Sequence, residues 1–123
     1  LFILLILISC GNVNQTSIKH ISGSEFLELS DDFEIIDVRT KSEYESGFIE
    51  NALNIDFFSD TFDSDVLSLN KNSKIILYCR TNNRSTKTAN LLKKNGFKDI
   101  SVIEGGITDW VKNGNDIAYP KLD

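Results

Sequence analysis

Lys74-Ile75-Ile76-Leu77-Tyr78-Cys79 is a short run of β-branched and aromatic residues, the composition of a strand buried on both faces. Arg80-Thr81-Asn82-Asn83 follows it at once, and from Arg84 to Asn95 the pattern turns helical. Ala89 and Leu92 lie on one stripe with Leu91 beside it, the lysines fall opposite, and Gly96 supplies a C-terminal stop. Working outward, Glu34 to Val38 and Ile100 to Ile103 read as further buried strands, and Ala52 to Ile55 as a short one. Ser22 to Leu29 reads as a capped short helix, Lys41 to Ser46 as a helical turn stopped by Gly47, and Gly105-Gly106 as the opening of a last helix. That helix carries Ile107, Trp110 and Val111 and closes at Gly114, whereas Asp56 to Asn70 is irregular with helical turns. Strands alternating with helices predict an α/β fold with a central, mainly parallel sheet and helices on both faces.

The 123 residues favour one domain, and 41% hydrophobic with 25% charged is ordinary for a soluble fold. A net charge of −5, with the lysines dispersed among acids, argues against an electrostatic grip on nucleic acid. The first eight residues are unbroken apolar, long enough for a signal-peptide core but too short to span a bilayer. Leu7-Ile8-Ser9-Cys10-Gly11 resembles the lipobox of bacterial lipoproteins, which implies cleavage before Cys10 and its lipidation. The chain starts at Leu1 with no basic segment ahead of the apolar run, so the expectation is an N-terminally incomplete signal peptide over 1–9. Residues 10–17 would then be the lipidated cysteine and a flexible polar tether, with the domain over 18–119. The expected location is bacterial and extracytoplasmic, periplasmic or cell-surface, with the membrane as a partner only through that lipid anchor.

If Cys10 carries lipid, Cys79 has no partner for a disulfide, and a free thiol in an oxidising compartment invites a chemical explanation. It ends the best strand and precedes the best helix, where ligand sites of α/β sheets lie and where successive amides form an anion nest. Closing so short a loop calls for a residue tolerant of positive φ, which Asn82 or Asn83 could supply. The amides with Arg80 and Arg84 would hold Cys79 as a thiolate, each guanidinium at about 6 Å being worth about 2–3 kcal/mol. The bland reading, a small hydrophobic cysteine at a strand end, loses weight because two arginines and a helix start lie within six positions. Asp37, Arg39 and Glu43 read as a structural ion-pair network rather than an acid–base set. Trp110 reads as core, and His20, the only histidine, has no catalytic pairing. One histidine and one available thiol speak against a metal site, and no cofactor is expected.

These motifs resemble the rhodanese family over about Ile18 to Tyr119. Ile36-Asp37-Val38-Arg39 with Glu43-Tyr44, Gly47, Ile49 and Ala52-Leu53-Asn54-Ile55 is similar to its first signature. Gly96-Phe97, Val102, Glu104-Gly105-Gly106, Trp110 and Gly114 resemble the last one. The chain departs at Phe48 for the usual His, Asn51 and Asn82 for Gly, and Asp116 for Pro. The resemblance implies the rhodanese fold and a sulfurtransferase of the thiosulfate:cyanide type. Cys79 would carry a persulfide in a loop of Arg80, Thr81, Asn82, Asn83, Arg84 and Ser85. Implied partners are a small sulfur donor such as thiosulfate or a persulfide, and a thiol or cyanide acceptor. The alternatives are a cysteine-dependent phosphatase or arsenate reductase, whose loops are one residue longer in related proteins, and a non-catalytic binding module.

Overall fold

The computed structural model describes residues 16–123. Cys10, the apolar run before it and most of the proposed tether lie outside the described residues. Within them the chain runs β1 (Ile18–Ile21), α1 (Gly23–Leu27), β2 (Glu34–Asp37), α2 (Lys41–Glu45), β3 (Leu53–Asn54), α3 (Phe62–Leu67), β4 (Lys74–Tyr78), α4 (Asn83–Lys94), β5 (Asp99–Ile103) and α5 (Gly106–Lys112). The five strands form one sheet in the order β1-β5-β4-β2-β3, and every pairing is parallel.

Side chains alternate across β4 and sort the core into two layers. Ile75, Leu77 and Cys79 pack with Ile36, Val38, Ile100 and Val102 beneath Ala89 and Leu92 of α4 and Phe62 and Val66 of α3. Ile76 and Tyr78 face the other way, with Ile35 and Ile103, against Phe26 of α1 and Trp110 of α5. Burial on both faces is why β4 reads as an uninterrupted apolar run.

Ser22 and Thr40 both cap helices reciprocally, bonding the amides of Glu25 and Glu43 while those side chains bond the cap amides. Two elements go beyond the sequence reading. Ile18–Ile21 is an edge strand, with Lys19 and His20 exposed, and pairs with β5. The segment read as irregular contains α3, whose buried Phe62 and Val66 are spaced one helical turn apart. Val111, read with the apolar face of the last helix, is 51% exposed.

The strand order places the chemistry. After β2 the chain leaves toward β3 at one edge, and after β4 it leaves toward β5 on the other side. The loops beyond these two neighbours therefore diverge, which makes the β2/β4 boundary a topological switch point.

Candidate active site at the end of the central strand

Cys79 is the first residue beyond β4, with only 1% of its surface exposed. The amide of Ser85, in the first turn of α4, donates to its Sγ at 3.4 Å, and the Ser85 hydroxyl lies 3.3 Å from the same sulfur. Ser85 is fully buried, and its Oγ also donates to the Asn82 carbonyl at 3.2 Å. Among the described residues the amides of Arg80, Thr81, Asn82, Asn83 and Arg84 find no acceptor in the protein. They are the orphan donors of a helix N-terminus and the turn before it, suited to an anion. The loop from Cys79 to Arg84 has six residues counted inclusively.

A second turn clamps the start of this loop from outside. Gly105 and Gly106 adopt φ of +74° and +53°, so that the first amides of α5 turn toward it. Ile107 N–H donates to the Cys79 carbonyl at 3.0 Å, and Thr108 N–H to the Arg80 carbonyl at 3.1 Å. A β-carbon on Gly106 would overlap the Cys79 carbonyl and stand 2.7 Å from that of Arg80. Glycine is required here by both conformation and space.

Asn82 corrects one expectation. Its φ is −136°, and Asn83 already lies in α4, so neither supplies a left-handed turn. Instead the Asn82 side-chain oxygen accepts the Gly105 N–H at 3.0 Å, and its backbone carbonyl receives Thr86 N–H at 3.0 Å. The positive-φ turns that shape the site belong to the facing glycines. Among the described residues, the non-glycine residue that does turn left-handed is Asn51, at φ +68°, two positions after Ile49, a conformation asparagine tolerates.

The arginines need a second correction. Arg80 is exposed on the rim, as are Thr81 and Asn83. Arg84 does not present an unopposed charge to the thiol: its Nη1 and Nη2 engage Glu43 Oε1 and Oε2 at 2.7 and 3.0 Å. Glu43 is thereby held down at about 2, chiefly by the Arg84 hydrogen bonds, with Thr40 assisting against the opposing effect of burial. The same pairing raises Arg84. The Arg84 guanidinium also lies 5.9 Å from the ring centre of Phe58, which is 69% exposed.

Glu43 thus parts company with Asp37 and Arg39. Those two form their own buried pair, Arg39 Nε and Nη2 reaching Asp37 at 3.0 and 2.6 Å, with Nη2 also donating to the Gly47 carbonyl at 2.7 Å. Burial opposes the Arg39 charge, and the Asp37 hydrogen bonds and charge outweigh it, so Arg39 is raised. Tyr78, raised by burial, accepts the Ile49 N–H at 3.0 Å. Glu43 links α2, which follows β2, to the loop after β4, so one ion pair spans the switch point. Forty-one positions separate the partners, and the local pattern that places Glu43, the capping box with Thr40, went unread in the sequence.

The remaining candidates stand apart from the thiol. His20 is exposed on the edge strand. Trp110 is core, edge-on to Phe26 at 5.7 Å, with its ring N–H on the Asp116 carbonyl at 2.8 Å. The groove between α1 and α5, lined by Phe26, Phe33, Ile49 and Trp110, includes no residue of the 79–85 loop. Among the described residues no three acidic, histidine or cysteine side chains gather as a metal site.

Fold and site together define a parallel α/β domain whose central strand ends in a buried cysteine cupped by a helix N-terminus. The family model of the Rhodanese-like domain matches residues 22–113, and the chain belongs to that family. Among solved structures it is similar to a rhodanese-related protein of Thermoplasma volcanium, with TM-score 0.73 and 25% identity over 83% of this chain and 99% of that one. A rhodanese-like domain protein of Staphylococcus aureus superposes with TM-score 0.69 at 32% identity, over 84% and 99% of the two chains. Curated relatives include the tRNA uridine(34) hydroxylases of Escherichia coli strain 536 and Shouchella clausii. Each is 33% identical, over 110 and 108 residues, covering 83% of this chain and 31% and 34% of the relative. The chain spans about a third of the length of those relatives.

Proposed function

We propose that this protein is a sulfurtransferase that carries a sulfane sulfur as a persulfide on Cys79. The observation that carries the reading is the buried Cys79 Sγ, held by the Ser85 amide at the mouth of a loop whose other amides have no protein acceptor. The Cys79 thiolate attacks the outer sulfur of thiosulfate, the S–S bond breaks, and sulfite leaves with the electron pair. The persulfide's outer sulfur carries the negative charge and sits among the free amides, which need no reorganisation to receive it. A thiol or cyanide acceptor then attacks that sulfur, and the Cys79–sulfur bond breaks with its electron pair returning to Cys79.

A six-residue loop suits one outer sulfur better than a phosphoryl group with three equatorial oxygens. Intact-mass spectrometry after thiosulfate treatment should show one added sulfur, discharged by cyanide and absent in Cys79→Ser. Efficient hydrolysis of an aryl phosphate with no sulfur gained would refute the reading in favour of phosphatase chemistry.

The similarity to tRNA uridine(34) hydroxylases favours a second reading, in which the domain serves oxidation of a tRNA uridine. A gel-shift titration with tRNA separates the two. With a net charge of −5, the sulfurtransferase reading expects no complex at physiological salt.

A further inference from the structure

The Ser85 hydroxyl sits between two acceptors inside the site. It is 3.3 Å from Cys79 Sγ and 3.2 Å from the Asn82 carbonyl, and Ser85 is fully buried, so bulk water does not replace it. A hydroxyl has one hydrogen to donate, and the charge on Sγ decides which acceptor is better. We propose that Ser85 is a catalytic residue that donates its hydroxyl hydrogen bond to the Cys79 sulfur as that sulfur leaves in the discharge half-reaction. The inference rests on the sulfurtransferase reading and assigns a further role within the same site.

The two half-reactions use the sulfur differently. In the persulfide, Sγ is bonded to the outer sulfur and bears little charge, so the Ser85 hydroxyl belongs on the Asn82 carbonyl. When the acceptor attacks, the electron pair of the S–S bond flows back to Sγ. A full negative charge then develops in a nearly water-free position. Rotation of one side-chain torsion brings the hydrogen onto it, and the proton stays on oxygen throughout. In loading, the thiolate spends that charge as nucleophile, and the same hydrogen bond weakens along the reaction. Ser85 therefore assists discharge and slightly restrains each thiolate during loading. Without it, the donor left to Sγ among the described residues is the Ser85 amide, at 3.4 Å.

The test separates the half-reactions. Wild type and Ser85→Ala are loaded with excess thiosulfate, followed by intact mass, then freed of donor and discharged with cyanide in single turnover. Ser85→Ala is expected to load to the same single added sulfur, at a rate within about threefold of wild type above pH 9. Its discharge is expected to slow about tenfold, the part of a charge-assisted hydrogen bond realised at the transition state. Equal slowing of both steps, or no slowing of discharge, overturns the assignment while wild-type loading leaves the sulfurtransferase reading standing. Wild type that gains no sulfur at all overturns both. Should Ser85→Ala fail to fold, Ser85→Thr against Ser85→Val, matched in shape and differing in the hydroxyl, carries the same comparison. Only the threonine variant should discharge at a near-native rate.

Discussion

Removing the Glu43 charge tests whether the ion pair across the switch point holds the loop and also masks its arginine. In Glu43→Gln the side chain keeps its shape and one acceptor oxygen but loses the charge that Arg84 grips with both Nη atoms. A carboxyl held at about 2 instead of its ordinary 4.5 corresponds to about 3.4 kcal/mol, at roughly 1.36 kcal/mol per pK unit. The Glu43 side chain is 32% exposed, so solvent screening reduces this to about 1–2 kcal/mol. Because the folded-state value is depressed, the contribution is fully present above about pH 4.5 and is lost as pH falls toward 2. Urea titration should place Glu43→Gln about 1–2 kcal/mol below wild type at pH 7, and the two curves should converge at about pH 2.

The same substitution makes an electrostatic prediction that a purely structural role does not. Freed of its counter-charge, Arg84 should attract anions to the loop. The ratio of Cys79 alkylation by anionic iodoacetate to that by neutral iodoacetamide should rise several-fold, and salt should suppress the rise. A stability gap that persists unchanged to pH 2, or one below about 0.3 kcal/mol at pH 7, would refute the ion-pair argument. An unchanged reagent ratio would show that Glu43 does not neutralise Arg84 where the substrate arrives.

Two further substitutions probe the clamp on the loop. Gly106→Ala should destabilise by about 3 kcal/mol or more, since φ is +53° and the new methyl would press on the Cys79 and Arg80 carbonyls. Thermal unfolding and thiosulfate loading should both suffer. Asn82→Gly removes the side-chain acceptor for Gly105 N–H and should cost about 1 kcal/mol in urea while leaving the single added sulfur intact. A loss of loading in a folded Asn82→Gly protein would mean that the asparagine does more than tie two turns together.

What the sequence disclosed follows from burial. Ile75 to Tyr78 are buried on both faces, so composition alone marked the strand, and the position of Cys79 at its end followed. Ser22 was legible as a cap because a capping box is a local pattern, and the equal box of Thr40 with Glu43 was passed over. The edge strand Ile18–Ile21 was not, because only its outer residues are half-buried and Lys19-His20 interrupts any run. α3 was hidden by the acidic, exposed faces around Phe62 and Val66. The ion pair of Glu43 with Arg84 and the bond from Gly105 to Asn82 join residues far apart in the chain, and nothing in their local spacing announces them. A positive φ was expected where a loop is short, at Asn82 or Asn83, but around this site that conformation belongs to the facing Gly105-Gly106.

That displacement bears on what the loop can accept. The six-residue turn has no left-handed residue of its own, and Ser85 holds it through Cys79 Sγ and the Asn82 carbonyl. It is also clamped from outside, through the amides of Ile107 and Thr108 on its first carbonyls and through Gly105 on the Asn82 side chain. The Cys79 and Arg80 carbonyls are thereby drawn toward α5, while the Asn82 carbonyl stays with Ser85 and Thr86 of α4. Among the described residues the amides of Arg80 to Arg84 are left without protein acceptors. The glycine pair thus positions the start of the loop that carries Cys79. On the sulfurtransferase reading proposed above, the loop's capacity for a charged sulfur would depend on the start of α5 as well as on the six residues that carry the cysteine.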